Sequence, residues 1–565
     1  MKDSDGFLPF RLAWLIPAAA LVTLALGCWG WLSVHRPVDD ALYRALALFD
    51  INNDAYAHGE AIHDWRFRIG RWTGAFVVFS SLVALAALLR EHLATWLARW
   101  TKQQVMIAGG EPLAMAAFEA ARARRKSVLW LGAGAFNSIR FSAIALPWPP
   151  REHAQAVLAY AARADHVLIA DADDAVALML AKAARAAAPR AQLTVVMSDV
   201  RLAEDAAATL DDPRARVVAA AQVAARALNL AHPPFLIARD RGQARIHALI
   251  VGFGQTGQAI ARDLIVNGRT TYLAPARLTV IDPMARALEG VLRVRAPELD
   301  ACAEHRFIEG EIGGRAVRPE PAAIARALAD GGPLTAAYVC LADDTAALST
   351  ASMLQSLLRS LDMPAPPVFV RLRNAGAIGQ GARAAGEAAG AAGLDALTPF
   401  GDLAAVLAAS DFLADAPDAA ARAFHAAYLA SLPPERLANP ANQPWERLAE
   451  TYRQNNRDAV AHIPAKLASA GVDPARWLGQ AGMPHLPACD ALSGDPVRLE
   501  ALAELEHERW NAQRRMDGWR AAPHGDRDDA RRRHPALVRW DQLTEELKSY
   551  DRVVVAQTEA ACRGG

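Results

Sequence analysis

A run of 23 residues without a charged side chain, residues 12–34, constrains the fold of this chain more than any other feature. As a helix it is about 34 Å long, enough to cross the roughly 30 Å hydrocarbon core of a bilayer. Trp14, Trp29 and Trp31 lie near its ends, where aromatic residues anchor a span to the membrane interface. We therefore predict a transmembrane helix. A cleaved signal peptide is the alternative, but its apolar segment is typically only about 7–15 residues long.

A second uncharged apolar run, residues 72–89, ends at Arg90. Its length and composition predict a second span, and a buried helix of a soluble domain is the alternative. We assign residues 1–102 to a membrane region with spans at about 12–34 and 72–89. Lys and Arg flank both spans on both sides, so counting them does not fix the orientation. We place both termini in the cytoplasm, because the domains that follow have the pattern of cytosolic nucleotide-binding domains.

Between the two spans, residues 40–49 have the pattern of a short amphipathic helix. This helix resembles the pore helix of a two-span channel, and a plain two-helix anchor is the alternative. The chain has no TVGYG-like filter sequence, so potassium selectivity is not supported. The apolar residues expected on one face of the helix are Ala41, Leu42, Ala45, Leu46 and Phe49.

Overall composition narrows the class of protein. The 565 residues are enough for three or four domains, and 61 Lys plus Arg balance 61 Asp plus Glu. A net charge of zero produces no global positive field, so we expect no nucleic-acid partner. The five cysteines form no CxxC pair, which argues against a metal site or a disulfide framework and fits a reducing compartment.

After residue 103, short apolar strands alternate with amphipathic helices, and the same order occurs twice. The phrase VLIADADDAVALML in the first copy corresponds to YVCLADDTAALST in the second. This alternation predicts parallel sheets that are covered by helices on both faces. We assign residues 103–240 and 241–400 to two α/β Rossmann-like domains.

In the second copy, a GxGxxG turn at residues 252–257 follows a strand and opens a helix. Gly252 permits a tight turn, and Gly254 permits a pyrophosphate to approach the backbone. Gly257 permits close packing of the helix on the strand. The turn therefore predicts a dinucleotide site, and a Rossmann turn that has lost its ligand is the alternative.

Further residues complete this candidate site. Gln255 and Thr256 lie at the helix N-terminus, where free N–H groups and the positive end of the helix dipole attract phosphate. Asp282 ends the next strand, 25 residues after the last glycine, where an acid accepts hydrogen bonds from ribose hydroxyls.

The first copy lacks this fingerprint. Ala108 and Leu113 stand where the first and third glycines are needed, and the second strand ends in Gly132 with no acid. We predict a structural copy that binds no dinucleotide.

Two Rossmann units after two spans resemble RCK (TrkA-N) domains, the nucleotide-binding regulators of potassium channels and transporters. The phrase that contains Asp343, after the fourth strand, also fits that family. The resemblance implies that NAD(H) or another adenine nucleotide binds at Gly252–Gly257 and Asp343. It also implies homo-oligomers that form through the Rossmann domains and couple ligand binding to a membrane gate.

Residues 500–552 resemble the RyR repeat, the small helical module named after the ryanodine receptors. The resemblance rests on aromatic, turn and charged residues in order: Glu506, His507, Trp510, Arg514, Gly518, Trp519, Arg527, Asp528, Asp529, His534, Pro535, Leu537, Leu543, Asp551 and Arg552. We assign residues 500–565 to an RyR domain.

Aromatic faces and guanidinium groups in this domain can stack on a base and hold phosphate. The alternative is that the aromatic side chains form the helical core, as Trp510 and Trp540 in particular would, and that the arginines are solvated. The candidate ligand residues are His507, Trp510, Arg514, Trp519, Arg527, His534, Trp540 and Arg552.

A weaker copy of the same module precedes it. We assign residues 401–470 to this degenerate repeat and residues 471–499 to a linker, so that the C-terminal region is all-α. The equivalent positions are His425 with His507, Tyr428 with Trp510, Pro440 with Pro535, Trp445 with Trp540, and Asn456-Arg457 with Asp551-Arg552.

The combined pattern predicts a nucleotide-responsive regulator in a bacterial inner membrane, with the lipid bilayer, a nucleotide and further copies of the chain as partners. Ion conduction, of potassium or another cation, is one form of this function. A non-conducting signalling or defence scaffold whose RyR module binds a messenger or a protein is an alternative. A membrane-tethered NAD(P) oxidoreductase is another, but no catalytic nucleophile, metal cluster or oxyanion element is recognisable, so we predict no enzyme.

Overall fold

The structure is a computed structural model, and the chain falls into two compact units. One unit comprises Met1–Thr101 with Asn137–Arg140, and the other comprises Lys102–Phe136 with Phe141–Gly565. We describe each unit by itself. The described residues are 7–50, 64–110, 112–132, 138–140, 143–147, 159–210, 212–313, 317–373, 397–410, 412, 418–437, 439–474, 492–522 and 524–563.

The first unit is built on two long helices that pack against each other. The side-chain hydroxyls of Thr23 and Thr73 lie 2.7 Å apart across the helix pair. A Cβ at Gly74 would lie 2.4 Å from the Leu48 carbonyl oxygen, so only glycine permits this close approach. Small residues at such contacts are typical of membrane helix pairs. The elements are the helices Phe7–Ser33, Val38–Leu46 and Trp65–Trp100, the 3-10 turn Ala47–Phe49 and the short strand Ser138–Arg140.

One segment among the described residues, Leu15–Ser33, is long and apolar enough to cross a membrane. It lies inside the predicted span at 12–34. The predicted span at 72–89 lies within the helix Trp65–Trp100 and stays a prediction.

The predicted apolar face of the helix between the spans is partly wrong. Ala41 and Ala45 are buried as expected, whereas Leu42 and Leu46 are about half exposed. The buried residues Ala41, Ala45 and Leu48 are spaced i, i+4, i+7, which is one face of a helix, although Leu48 lies in the 3-10 turn that follows. Leu42 and Leu46 each come one residue later, about 100° around the helix axis, on the flank of that face.

The second unit contains two parallel sheets. The strands of the first sheet, in spatial order, are Ala143–Pro147, Val128–Gly132, Gln103–Ala108, Ala164–Ala170, Gln192–Met197 and Ala215–Ala219. Helices that cover it are Leu113–Ala123, Asp174–Ala187 and Val200–Leu210, and Leu407 of the helix Leu403–Ala409 joins its core.

The second sheet repeats this plan. Its strands, in spatial order, are Glu304–Glu309, Ala274–Asp282, Arg245–Val251, Ala336–Val339, Val368–Arg371 and Leu397–Phe400. Its helices are Gln255–Asn267, Ala285–Arg295, Pro321–Ala329 and Asp344–Ser360, and the helices Ala220–Ala231 and Pro234–Asp240 of the first copy also pack against its core.

Both sheets have the strand order 3-2-1-4-5-6 of a doubly wound Rossmann fold, in which ligands bind beyond the carboxyl ends of the central strands. The two predicted Rossmann-like architectures are therefore present. Their boundaries at 103–240 and 241–400 stay predictions.

The C-terminal part of the second unit is helical. Its longest helix, Pro496–Met516, is capped by the Asp495 side chain, which accepts hydrogen bonds from the N–H groups of Val497 and Arg498. Residues 475–491, within the predicted linker, lie outside the described residues. The helices are Ala419–Ala430, Glu450–Ala461, Ile463–Ser469, Pro496–Met516 and Glu545–Arg563, and the short strands Arg520–Ala521 and Arg533–His534 pair with each other.

Two histidines make equivalent contacts in the two halves of this region. His425 Nε2 lies 2.7 Å from the Gln443 carbonyl oxygen, and its Nδ1 lies 3.4 Å from the Asn456 amide nitrogen. In the second half, His507 Nε2 lies 2.9 Å from the carbonyl oxygen of residue 538, and its Nδ1 lies 3.2 Å from the carboxylate of residue 551. These partners occupy the equivalent positions that the sequence parallel defines.

An arginine follows each of these partners, and it too makes matching contacts. Arg457 donates to Asp418 at 2.8 Å, as Arg552 donates to Glu500 at 2.7 Å. The contacts of two halves recur because both halves use the same helix pairing.

A buried carboxylate lies among the contacts between the helical region and the Rossmann domains. Asp458 is fully buried and accepts hydrogen bonds from Arg226 and, at 3.1 Å, from Arg262. Burial alone raises the pKa of Asp458, but the two guanidinium groups lower it below its usual value. Arg262 also donates to Asp517 at 3.0 Å, so helices from three parts of the unit meet at this cluster.

We expect Asp458→Ala to lower the free energy of unfolding by about 3–5 kcal/mol, because it leaves two guanidinium groups without their buried partner. Urea unfolding followed by tryptophan fluorescence measures the change. Asp240→Ala is the control, since Asp240 is exposed and its loss is expected to cost less than about 0.5 kcal/mol. Equal midpoints for the two variants would contradict the role of Asp458.

Candidate functional site

The glycine turn of the second sheet has the geometry of a phosphate-binding turn. Gly252 has a φ of +88°, and a Cβ there would lie 2.8 Å from the Leu341 side chain. A Cβ at Gly257 would lie 2.3 Å from the carbonyl oxygen of Gly252, which is the close packing of helix on strand expected at that position. At Gly254, no described atom lies within 4 Å of an added Cβ. The middle glycine therefore leaves open space where a ligand approaches the backbone.

Asp282 lies beside this turn and holds it. One carboxylate oxygen accepts the Phe253 N–H at 2.8 Å, and the other accepts the Met284 N–H at 2.8 Å. A carboxylate can accept about four hydrogen bonds, so acceptor capacity is left for a ribose hydroxyl.

The turn opens into a cavity of about 510 Å³ at the carboxyl ends of both sheets, here called the intersheet cavity. Its volume lies within the range of small-ligand sites. Of the predicted cofactor residues, Gly252, Gly254, Gln255, Thr256 and Asp282 line it. From the first sheet come Gly110, Pro112, Leu113, Asp171, Ala172, Val196, Met197 and Ser198.

Two predicted cofactor residues do not line the cavity. Gly257 packs behind the turn, as described above. Asp343 caps the helix Asp344–Ser360, where its side chain accepts the Ala346 N–H at 2.7 Å.

Gln255 lines the cavity, but its side chain is hydrogen-bonded to the first Rossmann domain. Its amide donates to Asp199 Oδ2 at 2.7 Å and accepts the Val200 N–H at 3.3 Å. The residue thus joins the glycine turn of one domain to a helix start in the other. Sequence reasoning assigned it to phosphate through its place in the motif alone.

Two arginines that sequence reasoning missed supply the positive charge. Arg371 and Arg373 line the intersheet cavity at the end of the strand Val368–Arg371. Burial, and then the proximity of Arg373, lowers the pKa of Arg371, which donates to the carbonyl oxygens of Leu341 and Ala342 at 3.2 Å. Arg373 Nε is buried and has no hydrogen-bond partner among the described residues. The sequence VFVRLR, which places two arginines at the end of a strand, was the feature from which they could have been predicted.

The thiol of Cys340 also lines this cavity. Burial raises its pKa to about 12, so the thiol stays protonated near neutral pH.

The equivalent turn in the first sheet also brings backbone close to backbone. A Cβ at Gly109 would lie 2.0 Å from the Ala170 carbonyl oxygen. The Trp130 indole N–H donates to the Gly109 carbonyl oxygen at 3.1 Å. Asp171 adds a carboxylate to this side of the cavity.

A second cavity, of about 610 Å³, lies between the two helical halves and is here called the inter-repeat cavity. Of the predicted RyR ligand residues, His507, Trp510, Arg514, Arg527 and His534 line it. The other half contributes side chains that sequence reasoning did not single out as ligands: Phe424, His425, Tyr428, Arg436, Asn439, Asn442, Tyr452, Asn455 and Asn456.

Guanidinium groups and aromatic rings are interleaved in this cavity. The Arg514 guanidinium lies 5.8 Å from the Trp510 ring and 5.3 Å from the Trp519 ring. Its Nε is buried and has no hydrogen-bond partner in the described part of the chain. Arg527 donates to the Tyr452 hydroxyl at 2.9 Å and pairs with Asp529.

His534 presents a defined neutral ring to the cavity. Burial, with Arg527 and Arg514 nearby, lowers its pKa to about 4. Its Nδ1 accepts the Ala536 N–H at 3.1 Å, so the neutral ring carries its proton on Nε2.

The remaining three candidates do not line the cavity. Trp519 stacks behind Arg514, and Trp540 packs against the helical core with Lys548 over its ring. Arg552 pairs with Glu500 and Glu545 and holds two helices together.

We expect Gly257→Ala to destabilise the protein and Gly254→Ala to leave its stability almost unchanged. The first forces a methyl group against a backbone oxygen, and we expect the free energy of unfolding to fall by about 1–3 kcal/mol. The second enters open space, so we expect a change below about 0.5 kcal/mol. Chemical unfolding of both variants tests this, and equal losses would contradict the described turn.

Comparison with known proteins adds one family match. Residues 497–561 match the RyR domain. No curated protein matches the sequence.

Among solved structures, the chain is similar to the GsuK channel, with 16% identity over 72% of this chain and 97% of that chain and a TM-score of 0.36. It is similar to the GsuK channel bound to NAD, with 14% identity over 72% and 84% and a TM-score of 0.33. It is also similar to the A chain of dipicolinate synthase from Bacillus subtilis, with 12% identity over 56% and 95% and a TM-score of 0.21. Similarities this distant carry no functional argument.

Proposed function

We propose that this chain is a nucleotide-responsive membrane regulator whose ligand binds in the intersheet cavity. One observation carries the proposal: the open glycine turn at Gly254 faces a cavity that is also lined by Arg371 and Arg373. Phosphate groups match both the N–H groups of the turn and the guanidinium groups, and Asp282 matches a ribose. The ligand class is NAD(H) or another adenine nucleotide.

Regulation follows from the position of the cavity. Its wall comes from both sheets, so a ligand that fills it contacts both Rossmann domains. Such a ligand favours one relative arrangement of the domains if it binds that arrangement more tightly. We propose that homo-oligomers pass this shift along the chain to the membrane region, with the second unit in the bacterial cytoplasm and with residues 72–89 as a second span.

Ion conduction is the more specific form of this function. We propose a cation pathway through an oligomer of the membrane region. Cation flux into liposomes that contain the purified protein, with and without NAD(H) or ADP, tests it. A protein that binds nucleotide but conducts no cation under either condition would be a non-conducting regulator.

We propose binding without turnover. An oxidoreductase needs a proton donor beside the nicotinamide, and the Cys340 thiol, with its raised pKa, is a poor proton donor at neutral pH. Hydride transfer between added NAD(P) and any substrate, measured by absorbance of the reduced cofactor, would replace this proposal with an enzymatic one.

A second candidate function rests on the inter-repeat cavity. Its interleaved aromatic and guanidinium groups suit an aromatic phosphorylated ligand, because rings stack on bases and guanidinium groups pair with phosphate. In that case the helical region is the sensor and the Rossmann domains are a scaffold, as in a signalling or defence protein that binds a messenger.

We expect NAD(H) or ADP to raise the melting temperature of the detergent-purified protein in proportion to the logarithm of ligand concentration. A ligand at 100 times its Kd stabilises by about 2.7 kcal/mol. Gly254→Asp should abolish the rise, because a carboxylate would fill the phosphate position. Gly290→Asp is the matched control, since it adds the same charge at an exposed helical glycine that also has open space around it. A rise that persists in Gly254→Asp would place the ligand elsewhere.

The second candidate function predicts a different loss. If the inter-repeat cavity holds the ligand, Arg514→Gln should weaken binding by about tenfold, because it removes a buried charge with a free Nε. Arg539→Gln, which changes an exposed arginine of the same module, should leave binding unchanged. Thermal-shift titrations of both variants with the nucleotides tested above measure the effect. Equal affinities in the two variants would exclude the cavity.

A further inference from the structure

A third cavity, of about 540 Å³, lies where the RyR turn meets both Rossmann domains, and it is here called the junction cleft. Its walls are the helices Val200–Leu210, Gln255–Asn267 and Ala285–Arg295 and the turn that follows Pro496–Met516. We infer that the junction cleft binds a polyphosphate anion. This inference does not depend on nucleotide binding at the glycine turn.

The charge of the cleft is strongly positive. Five lining arginines have no ion pair with a carboxylate among the described residues: Arg201, Arg295, Arg520, Arg532 and Arg533. The lining acids are fewer. Asp517 is already paired with Arg262, which leaves Glu204 and Asp205. The balance therefore favours a ligand with several negative charges.

These arginines converge from separate elements that are fixed relative to one another. Glu298 accepts hydrogen bonds from Arg515 Nε at 2.9 Å and from the Ala521 N–H at 2.9 Å. These bonds hold the RyR turn against the segment that follows the helix Ala285–Arg295. Gly518 has a φ of +87°, and a Cβ there would lie 2.9 Å from the Arg295 carbonyl oxygen. The turn is thus pressed against the helix that carries Arg295.

The RyR turn also fixes its own arginines. Arg532 Nη1 donates to the Asp517 carbonyl oxygen at 2.7 Å, and the strand residues Arg520 and Arg533 are paired in register. Like charges are therefore held close together without acids between them, at a cost in electrostatic repulsion. A bound anion relieves that repulsion, and separate guanidinium forks suit the separate phosphate groups of one compact polyphosphate.

The carboxyl group of Glu204 lies in the same cleft, where the residue is exposed. An ionised carboxylate beside these arginines opposes a bound anion by like-charge repulsion. Replacing it by glutamine is therefore expected to strengthen anion binding.

Gln255 lines both the junction cleft and the intersheet cavity. A ligand in either cavity contacts this residue, whose amide already joins the two Rossmann domains. Polyphosphate binding and nucleotide binding are therefore expected to be coupled, and by thermodynamic reciprocity each would change the affinity of the other by the same factor.

Calorimetric titration of the full-length, detergent-purified protein with inorganic triphosphate tests the inference. Arg201→Gln and Arg533→Gln should each weaken binding by about tenfold, and Glu204→Gln should strengthen it. Arg286→Gln, which changes an exposed arginine on the same helix as Arg295 and outside the cleft, should leave binding unchanged. Because Glu204→Gln is expected to gain affinity, misfolding cannot imitate the full pattern.

Several outcomes would overturn the inference. The inference fails if the unaltered protein does not bind triphosphate, or if Arg201→Gln and Arg533→Gln leave the affinity unchanged. It also fails if Arg286→Gln loses as much affinity as they do. Gly254→Asp must retain triphosphate binding, since its loss would place the anion at the glycine turn. In that variant, ATP and inorganic triphosphate are compared to distinguish a nucleotide from a bare polyphosphate as the source of the phosphate groups, and binding of either one supports the cleft.

Discussion

A single buried carboxylate, Asp458, determines how the second unit is assembled. Taking a carboxylate and two guanidinium groups out of water is costly, and only their mutual contact offsets that cost. Asp458 therefore requires Arg226 and Arg262 to stay in place, and each arginine belongs to a different part of the unit. Arg262 is on the helix that begins at the glycine turn, so the helical repeats contact the same helix whose N-terminus forms the candidate nucleotide site.

Because the second unit is assembled from several modules, its cavities occur where two modules meet. The intersheet cavity lies between the carboxyl ends of two sheets, the inter-repeat cavity lies between two helical halves, and the junction cleft lies between both kinds of module. Well-packed domain interiors leave little room for ligands, whereas surfaces that meet at an angle leave clefts. In each of the three, guanidinium groups come from more than one element or face a turn built to accept phosphate.

Features that depend on local sequence were predictable. The three glycines of the turn differ in role because each occupies a fixed place in a strand–turn–helix motif, and the structure gives each the expected surroundings. The matching contacts of His425 and His507 were also predictable, because the residues around both histidines have the same spacing in the sequence. The contacts of Arg457 and Arg552 show that the spacing preserved the geometry as well.

Features that depend on residues far apart in the sequence coming together were not predictable. Arg371 and Arg373 reach the glycine turn only because the sheet order brings the fifth strand's end to the same edge, and no local pattern states that order. The cleft arginines come from positions more than 300 residues apart, Arg201 and Arg533 among them. Within the first unit the helical spacing held, but the apolar face was assigned too widely, since Leu42 and Leu46 lie beside the buried Ala41 and Ala45.

The two histidines of the helical repeats differ in the partner of their Nδ1 atom, which is an amide in one half and a carboxylate in the other. The amide of Asn456 cannot ionise, so the partner of His425 keeps the same charge at every pH. Asp551, in the equivalent place, has a raised pKa because it is buried, and it can share a proton with His507. The two halves therefore share the shape of this contact, while only the second places an ionisable carboxyl group in it.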